Sequence, residues 1–509
     1  MSDRRWLDLP EGELEAILSD SLPETPPAGV VQAVTPWRQA MHRVLLGTAL
    51  TCVTLNFWWL NYLLPFAGAV LSLLGFRALR QENRWFRAGW WLRVCRMLVL
   101  TVSLSESAFV GDREALRHVL TALTLLTELG TMVCLWRALC TVRGRVGLPP
   151  SAPAAGALAV WYTALCLLAF ARYSGLVIPI AMLAAYGFIL RNLYRVSRQT
   201  EEAGYAIRSA PVRLSDAVAA ALAAGLCLAG ILSGYLFGGK LPMEWTPLQT
   251  VSSEKTAPER QHLLELGFPE TVLQDLTEEE LLACSGALRV VTDVREAAID
   301  RGRETFTEEN GVYHYYNVYD EHVRITGVGV LLPGERERWR IFHHFEYLDG
   351  VKFRGTECVQ LWPAYRMNEG WTQGSDFAGR VLYESEGNTY AAPFASFGNE
   401  TYTTSSVIWG ESTQSSVFAE FSMPAGGSRH RGYLSYEILE SIDGYIVDAW
   451  INLTHQWGRW QYPVRTAKQS RMESGSTLSS VFRTVQDALQ FSPEYHPMDG
   501  EFTVITGEE

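Results

Sequence analysis

AVAAALAAGLCLAGILSGYLFGGK, residues 217–240, holds 21 uncharged residues from Ala217 to Phe237 and then the first lysine of the chain. A helix that crosses the hydrocarbon core of a bilayer needs about 20 mainly apolar residues. The stretch reads as a membrane span, and Lys240 as the start of a different kind of region. Before Lys240 lie 21 arginines and 15 carboxylates, a net of +6. From Lys240 onward there are 22 basic and 40 acidic residues, a net of −18, which brings the 509-residue chain to −12.

Working back from Lys240, six more apolar runs appear: Val44–Leu64, Pro65–Phe76, Ala88–Leu104, Val119–Trp136, Ala157–Ala171 and Leu176–Leu190. Val44–Phe76 is too long for one span, and Asn61 and Pro65 are expected to turn it into a helical hairpin. Arg172, Tyr173, Ser174 and Gly175 are expected to do the same between Ala157 and Leu190. The count is seven spans, or five if either hairpin is re-entrant. Thr35-Pro36 reads as an N-cap and first helical residue, which starts the first helix ahead of the bilayer.

Arginine sets the expected orientation. With the N-terminus inside, the inner loops carry Arg77, Arg80, Arg84 and Arg87, then Arg137, Arg143 and Arg145, then Arg191, Arg195, Arg198, Arg208 and Arg213. The outer loops carry only Arg113, Arg117 and Arg172. Cytoplasmic loops are the ones enriched in basic residues. The expectation is a multi-pass plasma-membrane protein with a cytoplasmic N-terminus and an extracytoplasmic C-terminal domain.

Four segments follow. Residues 1–35 are an acidic cytoplasmic tail, 36–239 an α-helical polytopic membrane domain, 240–310 a short helical lead-in, and 311–509 a mainly-β domain of β-sandwich or jelly-roll type. In the lead-in, Thr277-Glu278-Glu279-Glu280 is a capping box ahead of Leu281-Leu282, and the helical piece ends near Gly286. From about Val312 the texture becomes Tyr, Trp, Val and Thr with frequent Gly, which is strand composition. Ser479–Leu489 is expected to be a closing helix.

Two Asp-Gly pairs, Asp349-Gly350 and Asp443-Gly444, signal two-residue hairpins. Paired outward from the second, Leu434, Tyr436 and Ile438 share an apolar face with Ala449, Ile451 and Leu453. The other face gathers Tyr433, Ser435 and Glu437 with Asp448, Trp450 and Asn452. Aromatic rings beside hydrogen-bonding groups suit sugars and peptides, so these six residues are the candidate ligand platform.

Inside the spans, Glu128 and Arg96 stand out. Ionisable residues at membrane depth are costly and are usual functional pointers. Consecutive antiparallel helices would bring the two together as an intramembrane pair, with Arg93 also on the third span. Cys284 and Cys358 are the only cysteines beyond the membrane region and form a candidate disulfide. The other cysteines lie in apolar runs and read as small hydrophobes.

No catalytic residue, metal site or cofactor is expected. His343 and His344 are adjacent and should point to opposite faces of a strand. No P-loop, dinucleotide fingerprint or Gly-x-Ser-x-Gly is present. The acidic balance argues against nucleic acid. The expected partners are the lipid bilayer and an envelope glycan, peptide or membrane protein. The expected function is binding or sensing by the acidic β-rich domain. One alternative is a transporter or transporter accessory built around Arg96 and Glu128. The other is an extracytoplasmic hydrolase using Glu346, Glu437 and Asp448.

Overall fold

A computed structural model of the protein describes residues 37–52, 60–111, 113–171, 177–205, 207, 214–248, 255–309, 312–348, 350–362, 370–406, 410–442, 444–473 and 481–492. The chain divides into two compact units, Met1–Glu106 with Arg113–Leu232, and Ser107–Asp112 with Ser233–Glu509.

The first unit is helical: α1 (Trp37–Cys52), α2 (Leu60–Leu79), α3 (Arg84–Glu106), α4 (Glu114–Arg145), α5 (Pro153–Phe170), α6 (Val177–Glu202) and α7 (Asp216–Phe237). Five of them, α2, α4, α5, α6 and α7, are long and apolar enough to cross a membrane. α1 has 16 described residues, and α3 is diluted by Arg84, Arg87, Arg93, Arg96 and Glu106. The Val44–Phe76 run contributes to α1 and to α2, and Asn61 and Pro65, expected to turn the chain, lie inside α2. Residues 53–59, like Thr35, Pro36 and the turn expected at 172–175, lie outside the described residues.

Consecutive helices from α1 to α6 are neighbours, and α6 returns to α1, so the six close a ring. Tyr186 donates to the Thr48 carbonyl at 3.0 Å and Trp37 Nε1 to the Ser197 carbonyl at 3.1 Å, fastening α1 to α6. α1 and α2 touch backbone to backbone. A Cβ at Gly47 would stand 2.5 Å from the Ser72 nitrogen, and one at Gly68 would stand 2.7 Å from the Gly47 carbonyl oxygen. Glycine at these two positions is what permits the approach. Leu222, Leu226, Leu228, Leu232 and Leu236 of α7 are exposed, as befits a helix face turned to lipid.

The second unit opens with β1 (Thr246–Pro247) and three short helices, α8 (Ala257–Glu265), α9 (Glu270–Leu273) and α10 (Glu278–Ala283). The capping box is present: Thr277 Oγ1 accepts from the Glu280 amide at 3.2 Å, and Glu280 accepts from the Thr277 amide at 3.0 Å. Strands then begin at Arg289, not near Val312. β2 (Arg289–Ala298) is an exposed edge strand carrying Arg289, Asp293, Arg295 and Glu296, so it has no apolar alternation to announce it.

The remaining strands are β3 (Arg303–Glu309), β4 (Val312–Val318), β5 (His322–Leu332), β6 (Arg338–Tyr347), β7 (Glu357–Trp362), β8 (Trp371–Gln373), β9 (Ala378–Ser385), β10 (Asn388–Ala392), β11 (Ser396–Ser406), β12 (Gly410–Phe421), β13 (Ser428–Glu440), β14 (Val447–Gln456) and β15 (Phe482–Phe491), with α11 (Ala467–Met472) before the last. The larger sheet runs β1-β10-β9-β13-β6-β5-β2, with β8 also on β13. The second runs β11-β12-β7-β14-β15, and β3 and β4 form a separate ribbon. Every pairing is antiparallel. The expected closing helix is therefore a strand. Phe482, Val485 and Leu489 fit helical spacing, but Val485, Leu489 and Phe491 also fit a period of two, and pairing with β14 decides the matter.

One buried cluster takes residues from both large sheets. Trp339, Ile341 and Phe345 of β6 and Leu434, Tyr436 and Ile438 of β13 join Val359 and Leu361 of β7, Val417 and Phe421 of β12, and Val447, Ala449, Ile451 and Leu453 of β14. The apolar face expected around Asp443-Gly444 is real, but the hairpin is not. β13 pairs with β6, β8 and β9, whereas β14 pairs with β7 and β15. The two strands lie in different sheets and meet through the core. β6 and β7, on either side of Asp349-Gly350, are divided in the same way. Gly350 (φ +96°) and Gly444 (φ +80°) adopt the left-handed backbone that an Asp-Gly signal implies. That conformation serves a sheet-to-sheet crossing as well as a hairpin. Asp349 and Asp443 lie outside the described residues.

The α1–α2 seam gives a direct test. Gly68→Val should lower the stability of the helical unit by about 1–3 kcal/mol, as overpacking does. Gly187→Val on α6, where an added Cβ meets nothing within 4 Å, should be near neutral. Thermal unfolding of the two variants in detergent checks the contrast.

Candidate functional site

The outward face of β13 is already occupied by the chain itself. Tyr433 and Ser435 are fully buried, and both donate to Glu280 of α10, Ser435 at 3.2 Å. Arg340 on the neighbouring β6 donates to Ser435 at 3.3 Å and to Glu437 at 3.1 Å. Five residues before Glu280 in the lead-in, Asp275 is equally enclosed. It accepts from Arg431 Nε at 2.8 Å and from His344 Nε2 at 3.0 Å, while its carbonyl accepts from Arg380 at 2.7 Å. Burial alone would raise the Asp275 carboxyl, but the bonds and charges of His344 and Arg431 outweigh it and leave the group below its ordinary value. A cavity of about 370 Å³ remains beside this junction, lined by Thr277, Glu279, Glu280, Arg340, Ala378, Gly379 and Tyr433.

The six platform residues do not converge. Tyr433, Ser435 and Glu437 face the lead-in from the larger sheet. Asp448, Trp450 and Asn452 lie on β14 in the other sheet, on its face away from the shared core. There Asn452 donates to Gln360 at 3.4 Å, Gln490 donates to Asp448 at 2.7 Å, and Arg471 of α11 donates to Gln360 at 2.7 Å. The carboxylates of the hydrolase alternative are also engaged separately. Glu437 pairs with Arg340, and Glu346 with Arg324 and Arg429.

Cys284 and Cys358 are both free thiols. Cys284 packs with Phe342 and Leu332 under the lead-in, and Cys358 with Phe418 and Ala467 under α11. Each lies on the outer side of a different sheet, so the candidate disulfide is not formed. Burial pushes the Cys284 thiol up to about 12, which leaves it unreactive. His343 and His344 do point to opposite faces: Tyr436 of the core lies beside His343, and Asp275 of the lead-in beside His344.

Sequence reasoning missed a second buried centre. His455 Nδ1 donates to Glu357 at 2.9 Å and Nε2 to Glu321 at 3.2 Å, and Tyr347 donates to Glu357 at 3.0 Å. Burial lowers the imidazole, but the two carboxylates raise it further, to about 9. Burial would raise Glu321, but its bond to His455, the His455 charge and that of Arg354 outweigh it and hold the carboxyl below its ordinary value. No local pattern marks His455, because its partners are 98 and 134 positions away.

In the helical unit the expected Arg96–Glu128 pair is part of a triad. Arg93 Nη1 donates to Glu128 Oε1 at 2.8 Å, and Arg96 Nε donates to the same oxygen at 3.1 Å. Arg93 is 1 % exposed and Glu128 3 %. Phe86, Gly89, Arg93, Arg96, Met97, Leu100 and Leu104 form the buried stripe of α3, so both arginines face protein. Among the described residues no group of three or more His, Cys, Asp or Glu side chains could hold a metal ion. No protein-family model and no curated protein matches the chain.

The buried ionic groups set a pH profile for the second unit. Unfolded carboxylates titrate near 4 and unfolded histidine near 6.5. Asp275 and Glu321 are depressed, so their contribution is present above about pH 4 and lost as pH falls through their folded values. His455 is raised, so its contribution is complete below about pH 6.5 and lost as pH rises through about 9. The thermal midpoint of the β-rich unit, followed by near-UV circular dichroism, should be highest between roughly pH 4.5 and 6.5. His455→Gln should remove most of the alkaline decline. A decline that persists unchanged in the variant would assign it to other groups.

Proposed function

We propose that the protein is a seven-span membrane protein that presents a β-sandwich outside the cytoplasm, and that this domain docks an extended basic segment of an envelope or membrane partner protein. The observation that carries the reading is the β3–β4 ribbon. Its two strands pair only with each other among the described residues, and Phe306, Tyr313 and Tyr315 are 56 %, 53 % and 67 % exposed. The pairing sets Phe306 opposite Tyr315, Glu308 opposite Tyr313, and Glu304 opposite Asn317, which puts all six on one face. The rings of Tyr313 and Tyr315 lie 5.5 and 5.9 Å from that of Phe306.

An isolated two-stranded hairpin is marginally stable in water, and an open strand edge is a template for another strand. A partner strand added there would gain main-chain hydrogen bonds, with alternate side chains reading the face. Aromatic faces between two carboxylates favour lysine or arginine at those positions. The region's net charge of −18 attracts such a partner over longer range. A transporter or transporter accessory is the second reading, and the buried Arg93–Glu128–Arg96 cluster between α3 and α4 favours it. The two readings are compatible, because they use different units.

The topology has its own test. A membrane-impermeant maleimide applied to intact cells should label Thr307→Cys above the wild-type background and leave Ser151→Cys unlabelled. The reverse pattern would overturn the orientation.

For the ribbon, full-length protein in nanodiscs should bind an octapeptide of alternating lysine and valine at low salt. The double change Glu304→Lys and Glu308→Lys should weaken binding more than about tenfold, since like charges across an interface repel. Thermal stability should stay within about 0.5 kcal/mol, as for surface substitutions. Equal binding by the variant would sink the proposal, as would capture of a neutral oligosaccharide in place of the peptide.

A further inference from the structure

The Arg93–Glu128–Arg96 triad is not electrically closed. Two guanidinium groups share one carboxylate, and both bonds go to the same oxygen, Oε1. Among the described residues Glu128 Oε2 and Arg93 Nε and Nη2 are buried and have no hydrogen-bond partner. A fixed surplus of one positive charge therefore sits on the inward stripe of α3, on a side chain that is 1 % exposed.

A buried charged group can escape the cost of desolvation by losing its charge or by gaining a counter-charge. Lysine or histidine could take the first route. Arginine cannot be deprotonated in a protein. Protonating Glu128 would leave two positive charges and make matters worse. An added anion would balance the charge and also take up the free donors of Arg93. The unpartnered donors of Arg93 also have the geometry for one. Nε and Nη2 lie on the same edge of the planar guanidinium, the fork that grips an anion with two parallel N–H bonds.

We propose that the helical unit binds a single small monovalent anion, of the chloride class, on the Nε–Nη2 edge of Arg93 beside Arg96. The surplus of one charge sets the valence. Enclosure of both Arg93 and Glu128 among packed helices sets the size. The site does not depend on the ribbon, and it gives the ring of helices a ligand that the paired residues alone do not specify.

Chloride itself is the probe. Full-length protein in nanodiscs is titrated with sodium chloride against sodium gluconate at constant ionic strength, with the thermal midpoint of the helical signal as readout. Wild type should show a saturable rise with chloride, and sodium sulfate should not reproduce it. Arg93→Met leaves the neutral pair of Arg96 and Glu128, so its midpoint should no longer respond to chloride. Glu128→Gln raises the surplus to two charges and should lower the half-saturating chloride concentration on the order of tenfold. A wild-type midpoint equal in chloride and gluconate would overturn the site, as would an equal rise in sulfate or a chloride response kept by Arg93→Met. If Arg93→Met does not fold, Glu128→Gln decides, and an unchanged half-saturation there is also fatal.

Discussion

A charge taken out of water must be met by another charge or by a full set of hydrogen bonds, and the interior of this protein is arranged around that constraint. In the β-rich unit it joins the lead-in to the larger sheet. Glu280 comes from the short helix α10 and Asp275 from the turn before it, and isolated helices of this length are unstable in water. The sheet face beneath them carries Arg340, His344, Arg380 and Arg431, which could not be buried alone. Each set makes the other possible, and breaking one partner of a buried pair costs about 3–5 kcal/mol. Lead-in and sheet fall within one compact unit.

The strand faces were legible because their period is local. Leu434, Tyr436, Ile438, Val447, Ala449, Ile451 and Leu453 all point to the shared core, as alternation required. Their partners were not legible. An Asp-Gly pair specifies a left-handed backbone, not the sheet in which the chain continues. The crossing at Gly444 runs through Ser441 and Ile442, whose amides both donate to the Gly370 carbonyl, at 2.8 and 3.2 Å. Nothing near Asp443 announces Gly370. The β2 strand failed for the opposite reason, because an exposed edge needs no apolar face.

The Arg–Glu cluster of the helical unit was partly legible because consecutive helices are neighbours. Arg96 Nε donates to Glu128 Oε1. Arg93, three residues before Arg96, shares the same stripe by helical geometry and changes a balanced pair into a centre with surplus charge. The heptad-like spacing was available, but the count of hydrogen bonds on each carboxylate oxygen was not. The same limit hid His455, whose two carboxylates come from other strands.

Two faces of the β-rich unit have nearly the same composition, aromatic rings among carboxylates and amides, and opposite roles. On β13 the polar atoms are consumed within the chain: Tyr433 and Ser435 end on Glu280, and Glu437 on Arg340. On the β3–β4 ribbon the rings of Phe306, Tyr313 and Tyr315 remain in water, and fully burying a large apolar side chain is worth roughly 1.5–3 kcal/mol. That free energy is available to a partner on the ribbon and already committed on β13. Composition cannot distinguish the two cases, because the Glu280 that fills one face lies more than a hundred residues away in the sequence. A polar-aromatic face becomes a binding site only where the chain has no segment of its own to lay across it.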